Sequence, residues 1–151
     1  MLTDWDTSLI ASFPLGMVAS LREDGAPSVS PKGTFLALDD VTIAYGDIRS
    51  PQTRANVTRD PRVEVFFVDP FLRKGLRVRG QTRVLNADAP DFAQLHPRWA
   101  ETWGDLAKRI RFLVCIDIES TSQVVTPPYD DGVTEEEMLA LYKARYAEIY
   151  P

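Results

Sequence analysis

Between Leu76 and Leu85 the side chains alternate with period two. Leu76, Val78, Gly80, Thr82 and Val84 fall on one side, and Arg77, Arg79, Gln81 and Arg83 on the other. Only an extended chain sends successive side chains to opposite faces, so this stretch predicts a strand with an apolar face on a core and a basic face outward. A half-buried strand needs partners. Five more runs can supply them: Gly16 to Leu21, Ser28 to Leu38, Val41 to Tyr45, Val63 to Val68, and Arg111 to Ile118. Val63 to Val68 is the clearest, being rich in the β-branched and aromatic residues that suit a pleated surface. Turns and short helical segments separate the runs, not long crossovers. The expectation is a mainly β fold: a six-stranded antiparallel sheet closing into a small barrel, with flanking helices. No G-x-G-x-x-G or G-x-x-x-x-G-K-[ST] motif of a parallel nucleotide-binding fold occurs.

With 151 residues, 44% of them hydrophobic, the chain is long enough for one domain and short for two. That domain is expected to span residues 1–151, with a core from about 15 to 119 and a closing helix from about 134 to 149. Trp5, Leu9, Ile10 and Phe13 repeat at near-helical spacing ahead of Pro14, predicting a short amphipathic helix over Thr3 to Ser12. Glu23 to Pro27 is a turn, so the first two runs form a hairpin, and Pro31 places the second arm at an edge or bulge. Asp88 to Lys108 is helical but broken at Pro97, with Trp99 and Trp103 as core or interface contacts. Ser120 to Gly132 is expected to be a polar, proline-rich excursion. Thr134 and Glu137 form a capping box for the last helix, whose Met138, Leu141, Tyr142, Arg145 and Ile149 face is expected to dock on its own domain, with a dimer contact as the alternative.

The charge balance excludes some functions. Twenty-two acidic residues against 17 basic ones give net charge -5, which argues against a general nucleic-acid binder. Cys115 is the only cysteine and lies in an apolar run, so neither a disulfide framework nor a cysteine metal site is expected. His96 is the only histidine, which argues against imidazole triads and multi-histidine metal sites. The N-terminus lacks a signal pattern and no run is long enough to span a bilayer, so the expected location is the cytoplasm, away from membranes. The sequon Asn56-Val57-Thr58 falls in a predicted helix and is expected to be accidental.

One stretch points to a ligand. In Arg49-Ser50-Pro51-Gln52-Thr53-Arg54, Ser50 suits an N-cap and Pro51 the first helical position. The open N-H groups of such a helix start attract anions, and Arg49 and Arg54 add charge there, although surface arginines at an ordinary helix start would look the same. The helix should end near Arg59 or Asp60, because the residue before Pro61 is pushed out of the α region. With no catalytic histidine or carboxylate pair evident, any redox chemistry would come from a cofactor.

Gly16-Met17-Val18-Ala19-Ser20-Leu21, Ser30-Pro31-Lys32-Gly33-Thr34-Phe35, Ile43-Ala44-Tyr45-Gly46, Arg49 to Val57 and Asp60-Pro61-Arg62-Val63 occur in this order. Together they resemble the pyridoxamine 5'-phosphate oxidase-like family of FMN-binding split barrels, over about Leu15 to Leu85. The resemblance implies a six-stranded split barrel and a homodimer holding FMN where the subunits meet. It also implies an oxidoreductase passing a hydride to or from a small substrate. It would set Ser30, Pro31, Lys32, Gly33 and Thr34 along the isoalloxazine ring, and Tyr45, Gly46 and Asp47 near the ring and ribityl chain. Arg49, Ser50, Gln52, Thr53 and Arg54 would surround the phosphate, with Arg79 and Gln81 reaching the flavin from the basic strand. Members often carry a basic residue where this chain has Gln52 or Thr53, which leaves the deazaflavin F420 as an alternative cofactor. The C-terminal residues that bind the vitamin B6 substrate are not recognisable. A non-enzymatic flavin or haem carrier is a further alternative.

Overall fold

The structure, a computed structural model, describes all 151 residues. Helix α1 (Asp4–Ser12) precedes β1 (Gly16–Leu21), β2 (Pro27–Lys32), β3 (Phe35–Ala37) and β4 (Thr42–Asp47). Helix α2 (Pro51–Arg59) leads to β5 (Arg62–Asp69) and β6 (Lys74–Asn86). Helices α3 (Pro90–Leu95) and α4 (Pro97–Trp103), with a 3-10 turn (Gly104–Arg109), separate β6 from β7 (Phe112–Val125). A second 3-10 turn (Pro127–Asp131) and helix α5 (Glu135–Ile149) complete the chain.

All strand pairs are antiparallel, in the order β2-β1-β5-β6-β7-β4-β3. The two edge strands, β2 and β3, are consecutive in sequence and separated only by Gly33 and Thr34. Three peptide links reach at most about 11 Å, so the sheet has to curl until its edges meet. The result is a barrel closed everywhere except along the β2/β3 seam. The run from Ser28 to Leu38, expected as one strand, is two, so the sheet has seven strands rather than six. Pro31 has no N-H to give a second neighbour and sits on an edge strand, as its chemistry requires.

The alternation in β6 holds from Leu76 to Arg83. Leu76, Val78, Gly80 and Thr82 are buried, while Arg77, Arg79, Gln81 and Arg83 are exposed. Inside the barrel Val18, Phe35, Tyr45, Val65, Phe67, Val78 and Ile116 share one core cluster with Leu9 and Ile10 of α1. Phe35 meets Tyr45 and Phe67 with ring centroids 5.1 and 4.9 Å apart. A second cluster lies on the other face of β4 and β7, where Ala44, Leu113 and Cys115 are covered by Phe92, Trp99, Ala107 and Ile110. Burial on both faces explains why β4 and the first half of β7 read as continuous apolar runs. Burial also raises the Cys115 thiol pKa.

Strand β7 runs on to Val125, past the expected end at Ile118, pairing Ser120 to Val125 with Lys74 to Arg79. These residues are exposed or half-buried, so their polar composition resembled a loop. The ladder shifts between Arg79 and Gly80, and a Cβ on Gly80 would lie 2.3 Å from the Asp117 carbonyl oxygen. Gly80→Ala should therefore cost about 1–3 kcal/mol, the usual penalty for overpacking a fixed backbone. A lowered denaturant midpoint at unchanged slope would show it, and an unchanged midpoint would not fit.

The helices follow their caps. Thr3 with Asp6, and Thr134 with Glu137, form reciprocal capping boxes. Helix α5 docks less fully than its apolar pattern predicts: Met138 is buried, but Leu141 and Ile149 are exposed. Its further contacts are polar and aromatic: Glu135 pairs with Lys74, the Arg73 guanidinium lies 4.6 Å from the Tyr142 ring centroid, and the Tyr146 hydroxyl donates to the Pro70 carbonyl at 3.2 Å. Asn56 of the sequon is fully buried, and its amide donates to Ser20 Oγ at 3.1 Å. No helix is long and apolar enough to cross a membrane.

Candidate functional site

The open seam carries a cleft of about 1290 Å³, larger than the ~300–1,000 Å³ of an ordinary small-molecule pocket. One wall is the end of β2, with Pro31, Lys32 and Gly33. Another is the passage from β4 into α2, with Gly46, Arg49, Ser50, Pro51 and Arg54. The third comprises the turn after β6, at Asn86 to Asp88, and the approach to β7, at Lys108 to Phe112. Six of the chain's 17 lysines and arginines line this cleft, against a single carboxylate, Asp88. An acidic protein has thus gathered a local positive field, which low-dielectric walls strengthen for an entering anion.

The α2 wall is built by local rules. Pro51 occupies the first helical position, and Arg54 N-H donates to the Ser50 carbonyl at 2.9 Å. Ser50 stands at the N-cap, but its hydroxyl makes no capping bond. The first-turn N-H groups of Gln52 and Thr53 have no partner within the helix. Arg54 is held on two sides: its guanidinium donates to Asp47 Oδ2 at 3.1 Å and lies 4.2 Å from the Phe112 ring centroid. Asp47 is 1% exposed, and its other carboxylate oxygen has no hydrogen-bond partner. Arg49 is exposed and forms no ion pair.

Across the seam, Lys32 is only 6% exposed. Its ammonium donates to Ser30 Oγ and to the Pro31 carbonyl at 3.3 Å, and sits 6.0 Å from the Tyr45 ring centroid. Burial lowers the Lys32 pKa, while the nearby Asp47 carboxylate acts in the opposite direction. The Tyr45 phenol is pushed far above its ordinary value by burial and by the same carboxylate. Thr34 locks the seam. Its hydroxyl donates to the Gly46 carbonyl at 2.9 Å and accepts from the Gly46 N-H at 3.0 Å, joining the β2–β3 turn to β4.

Of the residues expected at a ligand, Pro31, Lys32, Gly33, Gly46, Arg49, Ser50 and Arg54 come together in the cleft lining. Ser30, Thr34 and Tyr45 stand behind that lining, as partners of Lys32 and Gly46. Gln52 is exposed and bonds Asn56 on its own helix at 2.8 Å, and Thr53 is buried beneath the first turn. Arg79 and Gln81 lie on the outer face of β6, joined to Glu64 at 3.3 Å and to Glu119 at 2.7 Å. Lys108, Arg109 and Arg111 join the lining without having been expected there. The available signal was three cations in four residues directly before a strand.

A curled antiparallel sheet with a cationic cleft along its one open seam defines a split β-barrel. The chain belongs to the pyridoxamine 5'-phosphate oxidase family, whose profile, described as Pyridoxamine 5'-phosphate oxidase, matches residues 3–124. HupZ of Group A Streptococcus superposes with TM-score 0.72 at 25% identity, covering 83% of this chain and 96% of that one. A candidate pyridoxamine 5'-phosphate oxidase of Lactobacillus delbrueckii gives TM-score 0.65 at 24% identity, over 80% and 93% of the two chains. An FMN-binding protein of Syntrophomonas wolfei shares the fold with TM-score 0.64 at 14% identity, over 80% and 84%. The same fold occurs in an F420 reductase (TM-score 0.56, 20% identity, 72% and 88% covered). It occurs also in HutZ, the haem storage protein of Vibrio cholerae (TM-score 0.62, 17% identity, 78% and 89% covered). No curated protein matches.

Proposed function

We propose that this chain binds FMN in the seam cleft and acts as a flavin-dependent oxidoreductase on a small substrate. The observation that carries the proposal is the meeting of Arg49, Ser50, Arg54 and the α2 start on one wall with the buried Lys32 on another. A phosphate is recognised by this combination of guanidinium, hydroxyl and helix N-terminus. FMN would supply the hydride-transfer chemistry, and the protein residues would hold and tune it. Arg54, fixed by Asp47 and Phe112, offers its charge without a further ordering cost. Pro31 to Gly33 would lie along the ring system, where Lys32 could donate a hydrogen bond to the negative charge that gathers near N1 and C2=O on reduction.

The functional unit in this proposal is a homodimer. Along the outer face of β2, β1 and β5, Val29 opposes Ala19 and Met17 opposes Phe66, with Val68 on the same face. Met17, Val29 and Val68 are exposed, forming an apolar surface suited to a second copy. Such a copy would bring other side chains to the open cleft. Of the alternative ligands, haem would need an axial ligand from outside this chain's own lining, which holds no His, Cys, Met or Tyr. The Nε2 of His96 is already engaged with the Ala107 carbonyl at 2.8 Å. F420 fits better, since its phosphate and carboxylates suit the surplus of cations.

Titration with FMN and with riboflavin tests the phosphate anchor. FMN should bind at least tenfold more tightly, a difference of about 1.4 kcal/mol, and the gap should shrink as salt is added. Equal affinities would remove the α2 wall from flavin binding. F420 in the same titration decides between the two cofactors.

A further inference from the structure

The cleft contains more positive charge than one phosphate requires. A phosphate monoester carries about -1.5 to -2 at neutral pH, which Arg49, Arg54 and the α2 start can meet. Besides the buried Lys32, Lys108, Arg109 and Arg111 remain, all exposed at the mouth of the same cleft. Their backbone is fixed: Ile110 between them is 5% exposed, its N-H donates to the Ala107 carbonyl, and Arg111 N-H donates to the Asp47 carbonyl, both at 3.1 Å. Their charges are uncommitted. Arg109 and Arg111 form no ion pair, and the Lys108–Asp105 pair at 2.9 Å has both partners more than three-quarters exposed, where such a bridge contributes little. The outer sheet differs, since Arg77 and Arg79 are matched to Glu64, and Arg83 to Asp117. Three like charges are thus held on a pinned segment, with a single carboxylate in the whole lining, an arrangement that attracts a carboxylate or phosphate.

We propose that Lys108, Arg109 and Arg111 form a second anion subsite. It receives a carboxylate or phosphate carried either by the substrate or by the remote end of the cofactor, while the cofactor phosphate rests on Arg49 and Arg54. Only the identity of the occupant on the α2 wall rests on the flavin reading above. The ligand set as a whole is polyanionic, and a neutral or cationic substrate is disfavoured.

The test uses the full chain and the variant Arg109→Ser with Arg111→Ser, both positions being exposed. FMN, F420 with its glutamate tail, and citrate as a plain polycarboxylate are titrated into each. FMN affinity should stay within twofold, while F420, citrate or both weaken at least tenfold. Loss of F420 alone assigns the subsite to the cofactor tail, and loss of citrate alone assigns it to the substrate. Lys143→Ser with Arg145→Ser removes the same charge from the exposed face of α5 and should change none of the three. Equal weakening of all three ligands, or no change in any, overturns the proposal. If the unaltered chain binds neither FMN nor F420, the flavin reading falls, and the citrate arm alone decides the subsite.

Discussion

Replacing Arg54 with glutamate should weaken FMN binding at least tenfold, about 1.4 kcal/mol, by setting a like charge beside the phosphate. The structure adds a second consequence. Asp47 is almost completely buried, and Arg54 is the only cation bonded to it. The substitution therefore leaves two carboxylates facing each other. Removing one partner of a fully buried pair costs about 3–5 kcal/mol, but Arg54 is 32% exposed, so solvent screening reduces the expected loss to about 1–2 kcal/mol. The two effects separate in Arg54→Gln combined with Asp47→Asn. That protein should recover most of the stability in a denaturant titration and still bind FMN weakly. Recovery of both would make the pair a purely structural device and remove Arg54 from the phosphate site.

Trp99→Ala should cost about 3–5 kcal/mol, the range for deleting a large aromatic from a core. Trp99 is fully buried, and its indole N-H donates to the Thr34 carbonyl at 2.8 Å, joining α4 to the two-residue link that closes the barrel. Trp99→Phe isolates the polar part of this role. It keeps most of the apolar area but leaves the Thr34 carbonyl without its donor, at a cost of about 1–3 kcal/mol. Because Thr34 also holds Gly46 in the cleft wall, the alanine variant should weaken FMN binding under conditions where it is still folded. An alanine variant as stable as the parent would contradict the packing described here.

Much of the architecture was legible because each strand carried its own signal. In β6 the signal was alternation, and in β5 it was β-branched and aromatic content. The proline at Pro51 and the proline after Asp60 bracketed α2 as observed. What escaped had physical reasons. The break at Gly33-Thr34 depends on the two halves of one extended run pairing at opposite ends of the sheet, a non-local fact that no window of sequence contains. The far half of β7 is polar because it pairs on an exposed part of the sheet. On the cleft, the helix start was visible locally, whereas the expected Ser50 cap does not form and Gln52 turns back to Asn56. Lys108, Arg109 and Arg111 went unnoticed because their meaning comes from the fold, which carries a 3-10 turn of the chain to the edge of a cleft built by residues 31 to 54.

If the seam of this split barrel holds a phosphate-bearing flavin, as proposed, the absorption spectrum of the purified protein will show it. The protein should be yellow, with flavin absorbance near one equivalent per chain, and should release FMN, identified by mass, on denaturation. A colourless protein that takes up neither FMN nor F420, oxidised or reduced, would contradict it.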